Sequence, residues 1–219
     1  ILKGMIDALG IDCRKLDIFI THEHGDHIKG LPNLVKKYGI QIYSRPATFR
    51  AMSCYEELPG DCVNPIIDRI QLGRVAVRAF DIPHDAAAPV GYIIQGTSRC
   101  VVATDIGNVD DRLQQMLEGA QVLVLEANHD EEMLRQGSYP YNLKQRILGP
   151  LGHLSNRRMA QVVAELQRRP QKLILAHLSE SNNRPELAMD TVKSVLDSYG
   201  INNMEIYMTA QNHSTRVDF

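Results

Sequence analysis

The chain has no tryptophan, only four phenylalanines and four cysteines, and a net charge of −2. Each shortage removes a class of protein. Cys13, Cys54, Cys62 and Cys100 form no Cys-x-x-Cys pair and are too sparse for a disulfide framework. A reducing, cytoplasmic setting with idle or buried thiols is therefore the expectation. The near-neutral balance argues against a general polyanion coat, although a local basic patch is compatible with it. No apolar run is long enough to span a bilayer, and the opening residues carry no signal-peptide pattern. Repeats, low-complexity tracts and a Gly/Ser linker are also missing, so 1–219 is read as a single domain. Hydrophobic residues make up 44% of the chain, ample for a core.

What is present is an alternation of strand-like and helix-like segments, which reads as α/β. Strands are expected at Leu16–Thr21, Gln41–Ser44, Arg74–Phe80, Val90–Gln95, Arg99–Thr104, Gln121–Glu126, Lys172–Ala176 and Glu205–Met208. Gly96-Thr97-Ser98 suits a hairpin connection. Helices are expected at Leu31–Tyr38, Pro46–Glu57, Val109–Glu118 and Pro185–Tyr199. Another buries Met159, Val162, Val163 and Leu166 at helical spacing and is capped by Ser155.

Polar residues with chemical potential gather at the C-terminal ends of these strands, where α/β folds build their sites. His22-Glu23-His24-Gly25-Asp26-His27 follows the first strand and contains three of the chain's eight histidines. His84 follows the strand at 74–80, and Asp105 the strand at 99–104. Glu126, Asn128 and His129 end the strand at 121–126, and His177 the strand at 172–176. Imidazole and carboxylate are ligands suited to zinc, manganese or iron, and they do not select among the three. Taken singly, a histidine after a strand is more often structural. The ordered set of seven is what points to metal.

That order and its local contexts resemble the metallo-β-lactamase superfamily. Its HxHxDH motif is matched at His22–His27, and its next histidine at His84 ahead of Pro89-Val90-Gly91-Tyr92. Its bridging aspartate is matched at Asp105, and its last histidine at His177 in Ala176-His177-Leu178-Ser179. Glu126-Ala127-Asn128-His129-Asp130, Gly152-His153-Leu154-Ser155-Asn156 and His177–Asn183 are similar to the YycJ/WalJ exonuclease group. That group is related to RNase Z and to the PhnP phosphodiesterase.

The resemblance implies an αββα sandwich. Members carry a strand hairpin before the segment at which this sequence starts, so the sandwich is expected with its first N-terminal strands lacking. It also implies two divalent ions: His22, His24 and His84 at one, Asp26, His27 and His177 at the other, Asp105 bridging. Such a pair activates a shared hydroxide and clamps a phosphoryl oxygen. His153 is the expected acid or phosphate-binding group, with Asp26 and His129 as further catalytic candidates. Ser155 is a helix cap or phosphate binder, and His213 is structural.

The implied activity is phosphodiester hydrolysis, with DNA cleaved as an exonuclease would. Between Lys144 and Arg169 lie six basic residues and one acid, Glu165, which offers a polyanion an approach. Tyr139 and Tyr141 are candidates for base stacking, with ordinary packing the commoner use of such residues. A small-molecule phosphodiesterase, a thioester hydrolase of the same fold and a metal-bound interaction module are the rival readings.

Overall fold

The computed structural model describes residues 12, 15–209 and 215–218; the expectations for Cys13 and His213 lie outside them. The chain divides into two compact units, Ile1–Ile70 with Ala86–Val90, and Gln71–Asp85 with Gly91–Phe219.

The first unit is built on a three-stranded parallel sheet of β1 (Asp17–Phe19), β2 (Gln41–Ser44) and β3 (Val63–Pro65). Helices α1 (Gly25–Ile28), α2 (Leu31–Tyr38) and α3 (Pro46–Ala51) follow β1 and β2. Pro32 sits in the first turn of α2, where its missing N–H costs nothing, and Gly39 closes the helix in the left-handed conformation. The helix expected over 46–57 stops at Ala51. Met52 turns extended, and a separate 3-10 turn covers Tyr55–Glu57. The break puts Met52, Cys54 and Leu58 into the same apolar cluster as Phe49, Val35 and Ile42. Burial of these side chains outweighs helical continuity, since each large one contributes about 1.5–3 kcal/mol when fully covered.

A seven-stranded sheet, in the order β10-β9-β8-β7-β6-β5-β4, forms the second unit. Its members are β4 (Arg69–Leu72), β5 (Val75–Asp81), β6 (Val90–Gln95), β7 (Arg99–Ala103), β8 (Val122–Glu126), β9 (Lys172–Ala176) and β10 (Glu205–Met208). Strands β6 and β7 pair antiparallel through the expected hairpin, Gln95 opposite Arg99. From β7 to β10 the pairing is parallel. The helices are α4 (Asp111–Leu117), α5 (Glu131–Gln136), α6 (Tyr141–Leu148), α7 (Asn156–Glu165) and α8 (Pro185–Ser198). Val101, Leu123, Leu125, Leu173 and Leu175 are fully buried under Leu117, Met159, Val163 and Val192 of these helices. The short strands β3 and β4 and helices α5 and α6 are additions to the sequence reading; each is brief and weakly periodic.

The parallel run decides where chemistry can occur. Because β7, β8 and β9 are adjacent and point the same way, the residues at or just past their C-terminal ends share one edge of the sheet. Those residues are Asp105, Glu126 and His177.

Candidate metal centre

In the first unit, the loop after β1 gathers three imidazoles. His22 is fully buried. Its Nδ1 lies 3.0 Å from Thr21 Oγ1, and its Nε2 lies 3.1 Å from His24 Nδ1. The His27 ring centroid is 4.1 Å from that of His22. Asp26, on the exposed side of α1, has its carboxylate 3.4 Å from His27 Nε2. Two ligand nitrogens on a tetrahedral zinc with bonds of 2.0–2.1 Å would be about 3.3 Å apart. The His22–His24 pair is therefore spaced as donors to one cation would be. Glu23, between them, accepts the Ala87 N–H at 2.7 Å and ties the loop to residues 86–88.

The second unit has its own cluster. His84 is buried, with Nε2 3.8 Å from Asp105 Oδ1 and 3.5 Å from Asp85 Oδ1. Arg146 of α6 neutralises Asp85 from the far side. His177 Nε2 approaches Asp105 Oδ1 at 3.4 Å. Asp105, Glu126, His153 and His177 each present one donor atom, all within 4.8 Å of one another.

Glu126 stands out within that group. It is fully buried, and both of its oxygens are taken. Oε1 accepts His153 Nδ1 at 2.7 Å and His177 Nδ1 at 2.8 Å. Oε2 accepts the Ile106 N–H at 2.9 Å and the Leu154 N–H at 3.2 Å. Four donors on two oxygens leave it little capacity for a cation. It is an orienting carboxylate: it fixes Nδ1–H on both rings and leaves each Nε2 as the reactive nitrogen. Burial alone would push this carboxyl up, but the hydrogen bonds and charges of His153 and His177 outweigh it and hold the group at about 2. Burial lowers His153, but Glu126 and Asp105 raise it by more, and the net shift is upward.

Local backbone geometry at the sheet edge is unusual. Asp105 and His177 are the two non-glycine residues, among those described, with positive φ (60° and 56°). Asp105 lies two residues past β7 and His177 directly past β9, and the left-handed conformation costs each about 1–2 kcal/mol without glycine. The turn that carries His153 is held by close backbone approach. A Cβ on Gly152 would lie 2.1 Å from the Ile147 carbonyl oxygen, and one on Gly107 2.3 Å from the Pro150 carbonyl.

The remaining expected residues fall as follows. Ser155 caps α7, accepting the Arg158 N–H at 3.1 Å and donating to Glu131 at 2.9 Å. Its hydroxyl is committed to capping. His129 is 1% exposed, and neither ring nitrogen meets a hydrogen-bond partner among the described residues. Burial lowers its pKa first, the positive charge of His153 adds to this, and the nearby carboxylates only partly oppose it, leaving about 4.

A pH dependence follows from His129. Its folded pKa is below the usual 6.5, so the unfolded chain binds the proton more readily. The ring costs nothing above pH 6.5 and progressively destabilises the fold as pH falls toward 4. The expected loss between pH 7 and 4.5 is about 2–3 kcal/mol. Urea unfolding with chelator present should show it, and His129→Leu should remove most of that slope. An equal slope in the variant would assign the acid sensitivity elsewhere. The Glu126 contribution has its own lower window, being lost from about 4.5 down to about 2.

Sequence reasoning placed Glu126 among the polar strand ends without giving it a role. The available signal was a carboxylate closing the apolar strand Val122-Leu123-Val124-Leu125. A charge buried at the centre of a sheet must be paired, and two of the chain's histidines pair it.

Comparison with known proteins identifies the family and the fold. Residues 7–178 match the family described as the beta-lactamase superfamily domain. The chain is 38% identical over 210 residues to the exodeoxyribonuclease YycJ of Bacillus anthracis, covering 92% of this chain and 80% of that protein. It is 40% identical over 187 residues to the exodeoxyribonuclease WalJ of Streptococcus pneumoniae serotype 2 strain D39, covering 82% and 69%. Among solved structures, the metallo-beta-lactamase fold protein YhfI from Bacillus subtilis superposes with a TM-score of 0.66 at 17% identity. That match covers 95% of this chain and 78% of that one, a likeness of fold.

Proposed function

The chain belongs to the beta-lactamase superfamily, and on that premise we propose that it is a metal-dependent phosphodiester hydrolase acting on DNA as an exonuclease. The observation that carries the reading is the donor cluster at the ends of β7, β8 and β9, where Glu126 orients His153 and His177 beside Asp105. The exodeoxyribonuclease relatives supply the substrate class.

We assign His22, His24 and His84 to one divalent ion and Asp26, His27 and His177 to a second, with Asp105 shared. The chemistry of the donors supports this: all are imidazole nitrogens or carboxylate oxygens, as zinc, manganese or iron require. When bound, such a pair supplies a nucleophile at neutral pH and neutralises charge on a phosphoryl oxygen. His153 stays off the metals in this assignment. Its Nδ1 is held by Glu126, so Nε2 is the atom that donates a proton to the leaving oxygen or hydrogen-bonds the phosphate. Asp26, exposed on α1 beside His27, is a catalytic candidate through its place as a ligand of the second ion. Buried His129 feels the charges of Glu126 and His153, and its part in catalysis is proposed as an electrostatic one.

Exposed Arg157 at the start of α7 gives a strand of phosphates a cationic approach, with Arg146 and Lys144 of α6 already engaged by Asp85 and the Arg135 carbonyl. Arg168 and Arg169 are outside it: the first lies beside Glu118, and the second bonds the Ala164 carbonyl. Among the described residues no helix is long and apolar enough to cross a membrane. Cys54, Cys62 and Cys100 are free thiols, which supports a cytoplasmic setting.

The test uses the full chain with end-labelled linear DNA, manganese or zinc, and a chelator. Nucleotides should be released from ends, and chelation should abolish release. Nuclease activity that survives chelation would overturn the mechanism. Turnover of small phosphodiesters or thioesters with no response to DNA would overturn the substrate class.

A further inference from the structure

Three loops carry the catalytic cluster of the second unit: the one after β8, the turn before α7, and the one after β9. Their mutual positions are fixed by side-chain amides. Asn156 and Asn183 are buried and face each other in a reciprocal pair. Asn156 Nδ2 donates to Asn183 Oδ1, and Asn183 Nδ2 donates to Asn156 Oδ1, both at 2.9 Å. Asn183 Nδ2 also reaches the carbonyls of Ala127 at 2.9 Å and Asn128 at 3.0 Å. Its Oδ1 takes a second donor, the Arg184 N–H at 2.9 Å. Asn128 completes the set by donating from Nδ2 to the His177 carbonyl at 3.0 Å. Backbone bonds run alongside: Asn128 to Leu154, Asn156 to His129, and Ser179 to Asn128.

We infer that Asn128, Asn156 and Asn183 form an amide clasp that positions His153 and His177 about Glu126, and that they are positioning residues for the hydrolysis proposed above. Ala127 is the next residue after Glu126, Asn156 is three residues after His153, and Asn183 is six after His177. Asn183, itself on the loop after β9, therefore bonds to the other two loops, and these three are the ones that Glu126 also links through its imidazoles. Asn128 grips the carbonyl of the one histidine in this cluster whose backbone is left-handed. Two imidazoles stay on one carboxylate oxygen at 2.7 and 2.8 Å only if both loops are held, because a displacement of about 1 Å is enough to lose such a bond.

The apolar core does not need this pair. Replacing both partners of a buried hydrogen bond with apolar groups of similar shape is nearly neutral for folding. Asn156→Leu/Asn183→Leu removes both halves of the pair but leaves the Ala127 carbonyl and the Arg184 N–H without Asn183, at about 1–3 kcal/mol for each such group; circular dichroism establishes that the variant is folded before its loops are compared.

The inference rests on the proposed function only for its kinetic arm. In metal-free protein labelled with nitrogen-15, the Nδ1–H protons of His153 and His177 should be protected from exchange by Glu126. In the double variant that protection should fall at least about tenfold. Turnover on DNA ends should fall roughly ten- to a hundredfold, with KM within about threefold of the parent because the cationic residues are untouched. A folded double variant with unchanged imidazole exchange and unchanged turnover overturns the clasp. Should the double variant unfold, Asn128→Ala decides: it must expose the His177 Nδ1–H and leave that of His153 protected, and any other pattern overturns the assignment. If the imidazole exchange responds as stated while the parent protein never cleaves DNA, the clasp stands and the substrate reading falls.

Discussion

Alanine in place of Glu126 is expected to lower the unfolding free energy by about 3–5 kcal/mol and to abolish nuclease activity. The size of the effect comes from the number of groups stranded. Removing the carboxylate deprives His153 and His177 of their Nδ1 acceptor and leaves the Ile106 and Leu154 amides facing a void. Each buried donor without an acceptor costs about 1–3 kcal/mol, and a buried charge pair broken on one side is worse than none. Glu126→Gln separates charge from shape. It keeps the volume and one oxygen, but its amide nitrogen must point at donors on one side or the other. That variant should lose nearly as much activity while losing less stability. Urea denaturation at pH 7 and turnover on DNA ends measure both. A change under about 1 kcal/mol in Glu126→Ala would show that the two imidazoles do not depend on this carboxylate.

His153→Ala is the second large effect. Removing a positioned proton donor reduces turnover by about 10²–10⁴, and here metal content should stay near that of the parent. The separation of the two readouts is what matters. His153 Nδ1 lies 3.9 Å from Asp105 and is held at 2.7 Å by Glu126, so its absence leaves His84, Asp105 and His177 in place. A protein that loses its metal along with His153 would make that ring a ligand. His153→Asn, which can hydrogen-bond a phosphate without delivering a proton, should recover binding better than turnover.

The parts of the site that could be read in the sequence share a physical cause. Asp105, Glu126 and His177 each end an apolar run of β-branched and leucine residues, and a parallel arrangement of those runs forces their ends together. The His22–His27 loop declared itself by density of donors alone. The amide clasp was not legible in the same way. Asn156 and Asn183 are 27 residues apart, each sits beside a helix start where asparagine is common anyway, and nothing local marks them as partners. Glu126 was visible as a charge but not as a bridge, because its two imidazoles arrive 27 and 51 residues later. The break after Ala51 was hidden for the opposite reason. Local propensity favoured a continuous helix, and the decision was made by the burial of Met52, Cys54 and Leu58.

The left-handed peptides at Asp105 and His177 set the molecule against itself. Glycine or asparagine would relax either position, so selection in the laboratory for heat resistance alone would be drawn toward residues that lack the ligand roles proposed for these two. Thermal hardiness and catalytic competence pull in opposite directions at these two backbone positions, and any library that randomises them should be screened for turnover before it is screened for melting.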